Sequence, residues 1–349
     1  TCTVTGSGTS YSAANIQANC AVTATFAIDE FSVTATSAGN GTITPASQNV
    51  SHGGTASFTV TPATGYHVVS VAGDTCTVTG SGTSYSAANI QANCAVTATF
   101  AIDEFTVTAT SGGNGTITPA SQTVAFDGTA SFTVTPATGY HVVSVSGDTC
   151  TVTGSGTSYS AANIQANCAV TATFAIDEFT VTASSGGNGS ITPASQTVAF
   201  DGTASFTVTP ATGYHVVSVS GDTCTVTGSG SSYSAANIQA DCAVTATFAI
   251  DEFTVTATSG GNGTITPASQ NVSHGGTASF TVTPATGYHV VSVAGDTCTV
   301  TGSGSSYSAA NIQANCAVTA TFAIDEFSVT ATSGGNGTIT PASQSVAYG

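Results

Sequence analysis

One segment recurs along this chain at a fixed interval. The sequence TCTVTGSGTSYSAANIQANCAVTATFAIDEF begins at Thr1, Thr75 and Thr149, and close variants begin at Thr223 and Thr297. The interval is 74 residues each time, without insertions. Solenoid repeats usually have periods of roughly 20 to 50 residues. The longer period here therefore predicts a string of small autonomous domains.

The side-chain pattern around Asp103 and Glu104 indicates where one repeat ends. Apolar residues occupy even positions up to Ile102 and odd positions from Phe105 onwards. A shift of one residue moves the apolar side chains of a strand to its other face, so the two strands do not continue one another. The predicted domains are a partial repeat at 1–30, complete repeats at 31–104, 105–178, 179–252 and 253–326, and a partial repeat at 327–349.

Both ends of the sequence fall inside a repeat, so we expect the chain to be part of a longer array. The alternative is that the incomplete repeats at the two ends pair with other chains. Exposed strand edges favour such pairing, and strand donation would then extend a fibre.

Period-2 alternation predicts strands through most of each repeat. In the repeat 105–178 it covers FTVTAT, TASFTVTP, GYHVVSV, TCTVTG and CAVTATFAI. The segment SGGNG contains Asn-Gly, which predicts a hairpin turn. The segment YSAANIQAN lacks alternation and is predicted to be a loop or a single turn. Short strands with frequent turns indicate a small all-β domain.

The charge balance restricts the partners of the chain. It has no Lys or Arg and 17 Asp and Glu residues, giving a net charge of −17. Nucleic acids and anionic membranes are bound through Lys and Arg, so both are excluded as direct partners. No apolar run approaches the roughly 20 residues of a membrane helix, so no direct membrane insertion of this segment is expected. An apolar content of 40% indicates a folded chain.

The ten cysteines form pairs with a constant spacing of 18 residues. Small domains bury little apolar surface and are often stabilised by disulfides. No Cys-x-x-Cys motif or Cys/His cluster indicates zinc. The predicted disulfides are Cys2–Cys20, Cys76–Cys94, Cys150–Cys168, Cys224–Cys242 and Cys298–Cys316. They imply an oxidising, extracellular location. Small buried free thiols are the alternative.

Acidic pairs mark the five boundaries between repeats. We interpret them as charged joints that keep sheet ends solvated and discourage edge pairing. The alternative is a weak calcium clamp, for which the candidate ligands are Asp103, Glu104, Asp177 and Glu178, with help from Asp74 or Asp148. No cofactor is predicted, and calcium is the alternative. The five pairs are Asp29-Glu30, Asp103-Glu104, Asp177-Glu178, Asp251-Glu252 and Asp325-Glu326.

Histidine, serine and aspartate are all present, but their pattern does not indicate a catalytic triad. There is no Gly-x-Ser-x-Gly elbow, and the same histidines recur in every repeat. They are interpreted as half-covered residues at strand starts, namely His67, His141, His215 and His289. A second position takes His52, His274 or Phe126, which argues against a dedicated ligand there. We assign no catalytic or cofactor-binding residue and predict that the chain is not an enzyme.

Two further patterns have a functional alternative. Asn-Gly-Thr/Ser and Asn-Val-Ser match the glycosylation sequon, although the predicted turn explains most of them. They occur at Asn40, Asn49, Asn114, Asn188, Asn262, Asn271 and Asn336. Alternating threonines, as in TVTAT, are typical of a solvated sheet face, and binding of ice or sugars is the alternative.

The motifs FTVTAT, GGNGTITP, FTVTPATGYHVVSV, GDTC and ANCAVTATF occur in this order in the repeats 105–178 and 253–326, and with a few single-residue changes in the other two complete repeats. In this order the sequence resembles the divergent InlB B-repeat type of bacterial surface module. The resemblance implies a secreted or cell-surface bacterial protein with tandem β domains and without established catalytic residues. Related B-repeats have a β-grasp-like fold with a helix, whereas no segment here has a convincing helical pattern.

The expected fold is a rod-forming, all-β tandem array of disulfide-stapled β-sandwich or β-grasp-like domains. The expected function is structural: a non-catalytic segment of an extracellular bacterial fibre, stalk or filament, with copies of itself as partners. The alternative is an adhesin whose repeats bind glycans or a host or cell-surface protein. Glycan-array binding distinguishes the two.

Overall fold

The computed structural model describes residues 2–349, so Thr1, the first residue of the predicted partial repeat, lies outside it. The chain divides into two compact units, and the first ends at Ala175 and the second begins at Ile176. Every regular element in the described part is a β-strand, and it has no helix long and apolar enough to span a membrane.

The first unit begins with two strands, which are followed by those of two complete repeats. The first pair is β1 Thr3–Ser7 and β2 Ser10–Ala14. The next eight are β3 Glu30–Ser37, β4 Gly41–Thr44, β5 Ser47–Ser51, β6 Ala56–Pro62, β7 Tyr66–Gly73, β8 Val78–Ser81, β9 Ser84–Ala87 and β10 Cys94–Ile102. The following eight are β11 Glu104–Ser111, β12 Gly115–Thr118, β13 Ser121–Ala125, β14 Gly128–Pro136, β15 Tyr140–Gly147, β16 Val152–Ser155, β17 Ser158–Ile164 and β18 Cys168–Ile176.

The second unit repeats this order twice and ends with two further strands. Its first eight are β19 Glu178–Ser185, β20 Gly189–Thr192, β21 Ser195–Ala199, β22 Gly202–Pro210, β23 Tyr214–Gly221, β24 Val226–Ser229, β25 Ser232–Ile238 and β26 Cys242–Ile250. The next eight are β27 Glu252–Ser259, β28 Gly263–Thr266, β29 Ser269–Ser273, β30 Ala278–Pro284, β31 Tyr288–Gly295, β32 Val300–Ser303, β33 Ser306–Ala309 and β34 Cys316–Ile324. The last two are β35 Glu326–Thr330 and β36 Ser343–Ala347.

Each complete repeat contains two four-stranded sheets. In the repeat 105–178, sheet A has the order β13-β11-β18-β15 and sheet B the order β12-β14-β17-β16. The first and last strands, β11 and β18, are adjacent and parallel, with Val107 opposite Cys168. Because adjacent parallel strands start at the same end of a sheet, the chain enters sheet A at one end and leaves it at the other. The other complete repeats have the same strand orders.

The core of a repeat lies between its two sheets, which makes the repeat a β-sandwich. Val107 and Val170 of sheet A pack with Phe132 and Val134 of sheet B in one buried cluster. Successive strand residues point to opposite faces, so the alternation in TVTAT and FTVT puts valine and phenylalanine inside and threonine outside. The all-β prediction is thus confirmed, and the β-grasp alternative, which requires a helix, does not describe the repeat.

Two local predictions were wrong. Asn114, with φ of 60°, lies in a turn that joins β11 of sheet A to β12 of sheet B, so Asn-Gly here crosses between sheets and forms no hairpin. The β16–β17 connection is a tight hairpin, with Gly156 at φ of 61°. The segment YSAANI, predicted to be a loop, lies in β17, which pairs with both β14 and β16. The segment forms a strand without apolar alternation, since backbone hydrogen bonds to both neighbouring strands hold it in place.

Candidate functional site

The joint between the first two complete repeats contains a single residue outside the strands, Asp103. It lies between the end of β10 and the start of β11. Its N–H donates to the carbonyl of Gly65 at 2.8 Å, and its own carbonyl accepts from the N–H of Phe126 at 2.8 Å. Its Oδ1 lies 2.8 Å from Nδ1 of His67. Asp103 therefore connects the repeat before it to the repeat after it.

The same arrangement occurs at joints in the second unit. His215 Nδ1 lies 2.8 Å from Asp251 Oδ1, and His289 Nδ1 lies 2.8 Å from Asp325 Oδ1. His67, His215 and His289, which were interpreted above without partners, thus each pair with the first residue of an acidic pair. Both side chains are substantially exposed, at 57% for His67 and 35% for Asp103. An exposed pair of this kind contributes little to stability and mainly fixes geometry.

An aromatic ring packs against a glycine across each of these joints. The ring of Phe126 lies so close to Gly65 that a Cβ at residue 65 would overlap it. His274 packs in the same way on Gly213, and Tyr348 on Gly287. This position takes either His or Phe in the sequence, which argued above against a dedicated ligand. Phe, His and Tyr share a planar ring, and this common property in the sequence indicates a packing role for the position.

The structure does not gather the calcium candidates into one site. Asp103 Oδ1 is paired with His67, and the Glu104 side chain is exposed on β11. Residues 2–349 contain no group of three or more His, Cys, Asp or Glu side chains placed to hold a metal ion. The calcium clamp therefore stays a prediction, and melting in millimolar Ca²⁺ against chelator tests it.

The cysteines are linked within repeats. The structure contains the bonds Cys2–Cys20, Cys76–Cys94, Cys150–Cys168, Cys224–Cys242 and Cys298–Cys316. Cys150 follows β15 of sheet A, and Cys168 starts β18 of the same sheet. The 18-residue loop between them carries β16 and β17 of sheet B. In each complete repeat the bridge therefore links the start of a sheet B hairpin to an inner strand of sheet A.

A hydrogen-bond network surrounds this bridge in the repeat 105–178. Asp148 Oδ1 accepts from the N–H of Ala169 at 2.8 Å and from the N–H of Thr149 at 2.6 Å. The Thr149 hydroxyl donates to the carbonyl of Asn167 at 2.7 Å, and Asn167 Oδ1 accepts from the N–H of Thr106 at 2.9 Å. The network ties the first strand, the disulfide loop and the last strand together.

This network changes the acidity of one aspartate in each complete repeat. Hydrogen bonds from the N–H of Ala169, and then from Thr149, hold the pKa of Asp148 below its usual value. The pKa values of Asp74, Asp222 and Asp296 are lowered in the same way, with the N–H of Ala95, Ala243 and Ala317 as the largest causes.

We expect the lowered pKa values to make the chain acid-sensitive. A carboxyl whose folded pKa is depressed adds stability above its unfolded pKa of about 3.9, and this stability is lost as the pH falls through the folded pKa. The urea concentration at the midpoint of unfolding should therefore decrease once the pH drops below about 4. A variant with Asn at the four positions Asp74, Asp148, Asp222 and Asp296 keeps an oxygen acceptor and should show a weaker fall. An equal decrease of the urea midpoint with pH in both proteins would show that these four aspartates do not cause the acid sensitivity.

Each complete repeat also has a shallow cleft beside this network. In the repeat 105–178 it is lined by Thr106, Thr108, Asp148, Asn167, Cys168 and Ala169. Equivalent residues line clefts at Asp74, Asp222 and Asp296, and the four volumes lie between 240 and 300 Å³. The sequence analysis did not identify this cleft, because its residues are far apart in the sequence.

The folded chain is a tandem array of disulfide-linked β-sandwich repeats. The model of the divergent InlB B-repeat domain matches residues 31–104, 105–178, 179–252 and 253–326. The chain belongs to the divergent InlB B-repeat family. Tandem B-repeats of this family are consistent with a structural or adhesive role in a bacterial surface protein.

The other two comparisons add little. No curated protein gave a significant match. Among solved structures, the chain is similar to one titled "The Bacillus anthracis TIE protein", with 9% identity and a TM-score of 0.31. The similarity covers 79% of this chain and 63% of that one.

Proposed function

We propose that this chain is a non-catalytic, load-bearing segment of an extracellular bacterial stalk, fibre or filament. The observation that carries the proposal is the parallel pairing of the first and last strands, as in β11 and β18. Tension applied through the two ends of a repeat pulls these strands along their own direction. The ladder bonds between them are then loaded together, and a ladder loaded in this way resists better than one opened bond by bond.

Three further features support this role. At joints such as Asp103, a single residue connects the strands of successive repeats, so the connection can extend very little under tension. The disulfides favour an oxidising location outside the cell. The family is found in bacterial surface proteins, where copies of the same chain are suitable partners in a fibre.

Single-molecule stretching of the full chain tests the proposal. We expect four similar unfolding events, one for each complete repeat. The residues between the linked cysteines cannot extend, and the bridge already spans 5.9 Å between Cα atoms that are 18 positions apart, so reduction should lengthen each event by about 59 Å at roughly 3.6 Å per residue. Extension without discrete events would contradict a load-bearing role.

The adhesive alternative has its own observation, namely the cleft that recurs in each complete repeat. A surface segment that carries load and also presents binding sites would combine both roles.

A further inference from the structure

The cleft of the repeat 105–178 has polar atoms whose positions are already fixed. Oδ1 of Asp148 and Oδ1 of Asn167 accept hydrogen bonds from backbone N–H groups, which holds both side chains in place. Within residues 2–349, Asp148 Oδ2, Asn167 Nδ2 and the hydroxyls of Thr106 and Thr108 have no hydrogen-bond partner. The cleft therefore offers a fixed acceptor, a fixed donor and two hydroxyls.

The charges and the donor set restrict what this cleft can hold. The chain has no Lys or Arg and a net charge of −17, so an anionic ligand would be repelled. Calcium requires about six to eight oxygens, whereas Asp148 has one carboxylate oxygen left after its backbone bonds. A neutral ligand with several hydroxyl groups fits both limits, because each hydroxyl donates and accepts.

The shape of the cleft also suits such a ligand. A volume of 240 to 300 Å³ lies at or below the lower limit of the roughly 300 to 1,000 Å³ of drug-sized sites. It can admit one sugar ring at an open surface. Ala169, which is exposed, supplies apolar lining on which the C–H face of a ring can rest.

We propose that these clefts each bind a monosaccharide unit of a neutral polysaccharide. Asp148 accepts from one ring hydroxyl and Asn167 donates to a neighbouring one. Each cleft binds weakly, and a polymer that engages more than one cleft binds more tightly through effective concentration. The inference goes beyond the proposed load-bearing role, and its failure would leave that role intact.

The chain contains a natural variant of the cleft. In the repeat 179–252 the asparagine is replaced by Asp241, whose Oδ1 still accepts from the N–H of Thr180 at 2.8 Å. The position loses the amide donor and places a second carboxylate beside Asp222. This cleft should have the lowest affinity of the four for the sugar unit. The substitution also shows that aspartate is compatible with the local hydrogen bond.

The test is affinity electrophoresis of the intact chain through gels that contain dextran, mannan or hydroxyethylcellulose. Polygalacturonate serves as an anionic control polymer. We expect retardation by at least one of the neutral polymers and none by polygalacturonate. The triple variant Asn93→Asp, Asn167→Asp, Asn315→Asp copies the cleft of the repeat 179–252 and should lower the apparent affinity at least tenfold. Asp241→Asn should raise it.

A second variant pair separates the cleft from the general threonine surface. Valine at the four cleft positions Thr34, Thr108, Thr182 and Thr256 should lower binding. Valine at the exposed sheet B positions Thr59, Thr133, Thr207 and Thr281 should not. Melting curves confirm that each variant is folded. No retardation by any neutral polymer, equal effects of the two valine sets, or calcium-dependent binding strengthened by the added aspartates would each overturn the proposal.

Discussion

Replacing both Cys150 and Cys168 with Ala is expected to destabilise the repeat 105–178 by about 3 kcal/mol. The bridge closes an 18-residue loop, and in the chain-entropy model a loop of this size restricts the unfolded state by about that amount. A small domain has a total stability of only roughly 5 to 15 kcal/mol. In calorimetry of the full chain, one repeat should therefore melt well before the other three complete repeats.

The matched control is the double replacement of Cys2 and Cys20. This bridge lies in a segment whose strands, β1 and β2, are exposed, and neither cysteine belongs to a buried cluster. Its removal should leave the melting of the four complete repeats unchanged. Unreduced peptide mapping checks the pairing itself. Unchanged melting of the Cys150 and Cys168 variant would show that the bridge does not stabilise its repeat.

Replacing Gly65 with Ala is expected to destabilise the first unit by roughly 2 kcal/mol or more. Two effects add at this position. Gly65 has φ of 77°, a conformation that costs other residues about 1 to 3 kcal/mol. A Cβ would also overlap the ring of Phe126 in the next repeat. Urea unfolding of the full chain measures the loss.

Gly82 is the control that separates these effects. It lies in the same repeat with φ of 61°, and no atom lies within 4 Å of a Cβ built on it. Gly82→Ala therefore introduces backbone strain without a clash and should cost less than Gly65→Ala. Combining Gly65→Ala with Phe126→Ala should cost less than the sum of the two single changes, because the overlap is removed. Equal losses for Gly65→Ala and Gly82→Ala would show that the ring does not bear on the joint.

Much of the fold was predictable because alternation and period are local properties. The valines and threonines of TVTAT separate by face in any half-buried strand, so the sequence predicted the all-β class and the inward residues such as Val107. The constant spacing of the cysteines predicted bridges within repeats.

The candidate functional sites were harder to predict from the sequence than the fold. The sequence analysis singled out Asp103 and His67 but had no means of pairing residues 36 positions apart. The cleft combines Thr106 with Asp148 and Asn167, which come from three parts of the repeat. Only the parallel pairing of β11 with β18 brings them together.

Identical segments adopt different structures in different parts of the chain, which separates the effect of local sequence from that of tertiary structure. CAVTATFAI forms β10 between β3 and β7, yet the same letters from Cys20 to Ile28 form no strand and pair with none of the strands in residues 2–349. SYSAANI is a strand up to Ile164 where Gly128 pairs with it, but its strand ends at Ala87 in the repeat 31–104. The sequence by itself determined the repeat, the all-β class and the face of each side chain. The tertiary structure decided which segments become strands, which sheet they join and which polar groups meet, because a strand exists only through the hydrogen bonds of its neighbours.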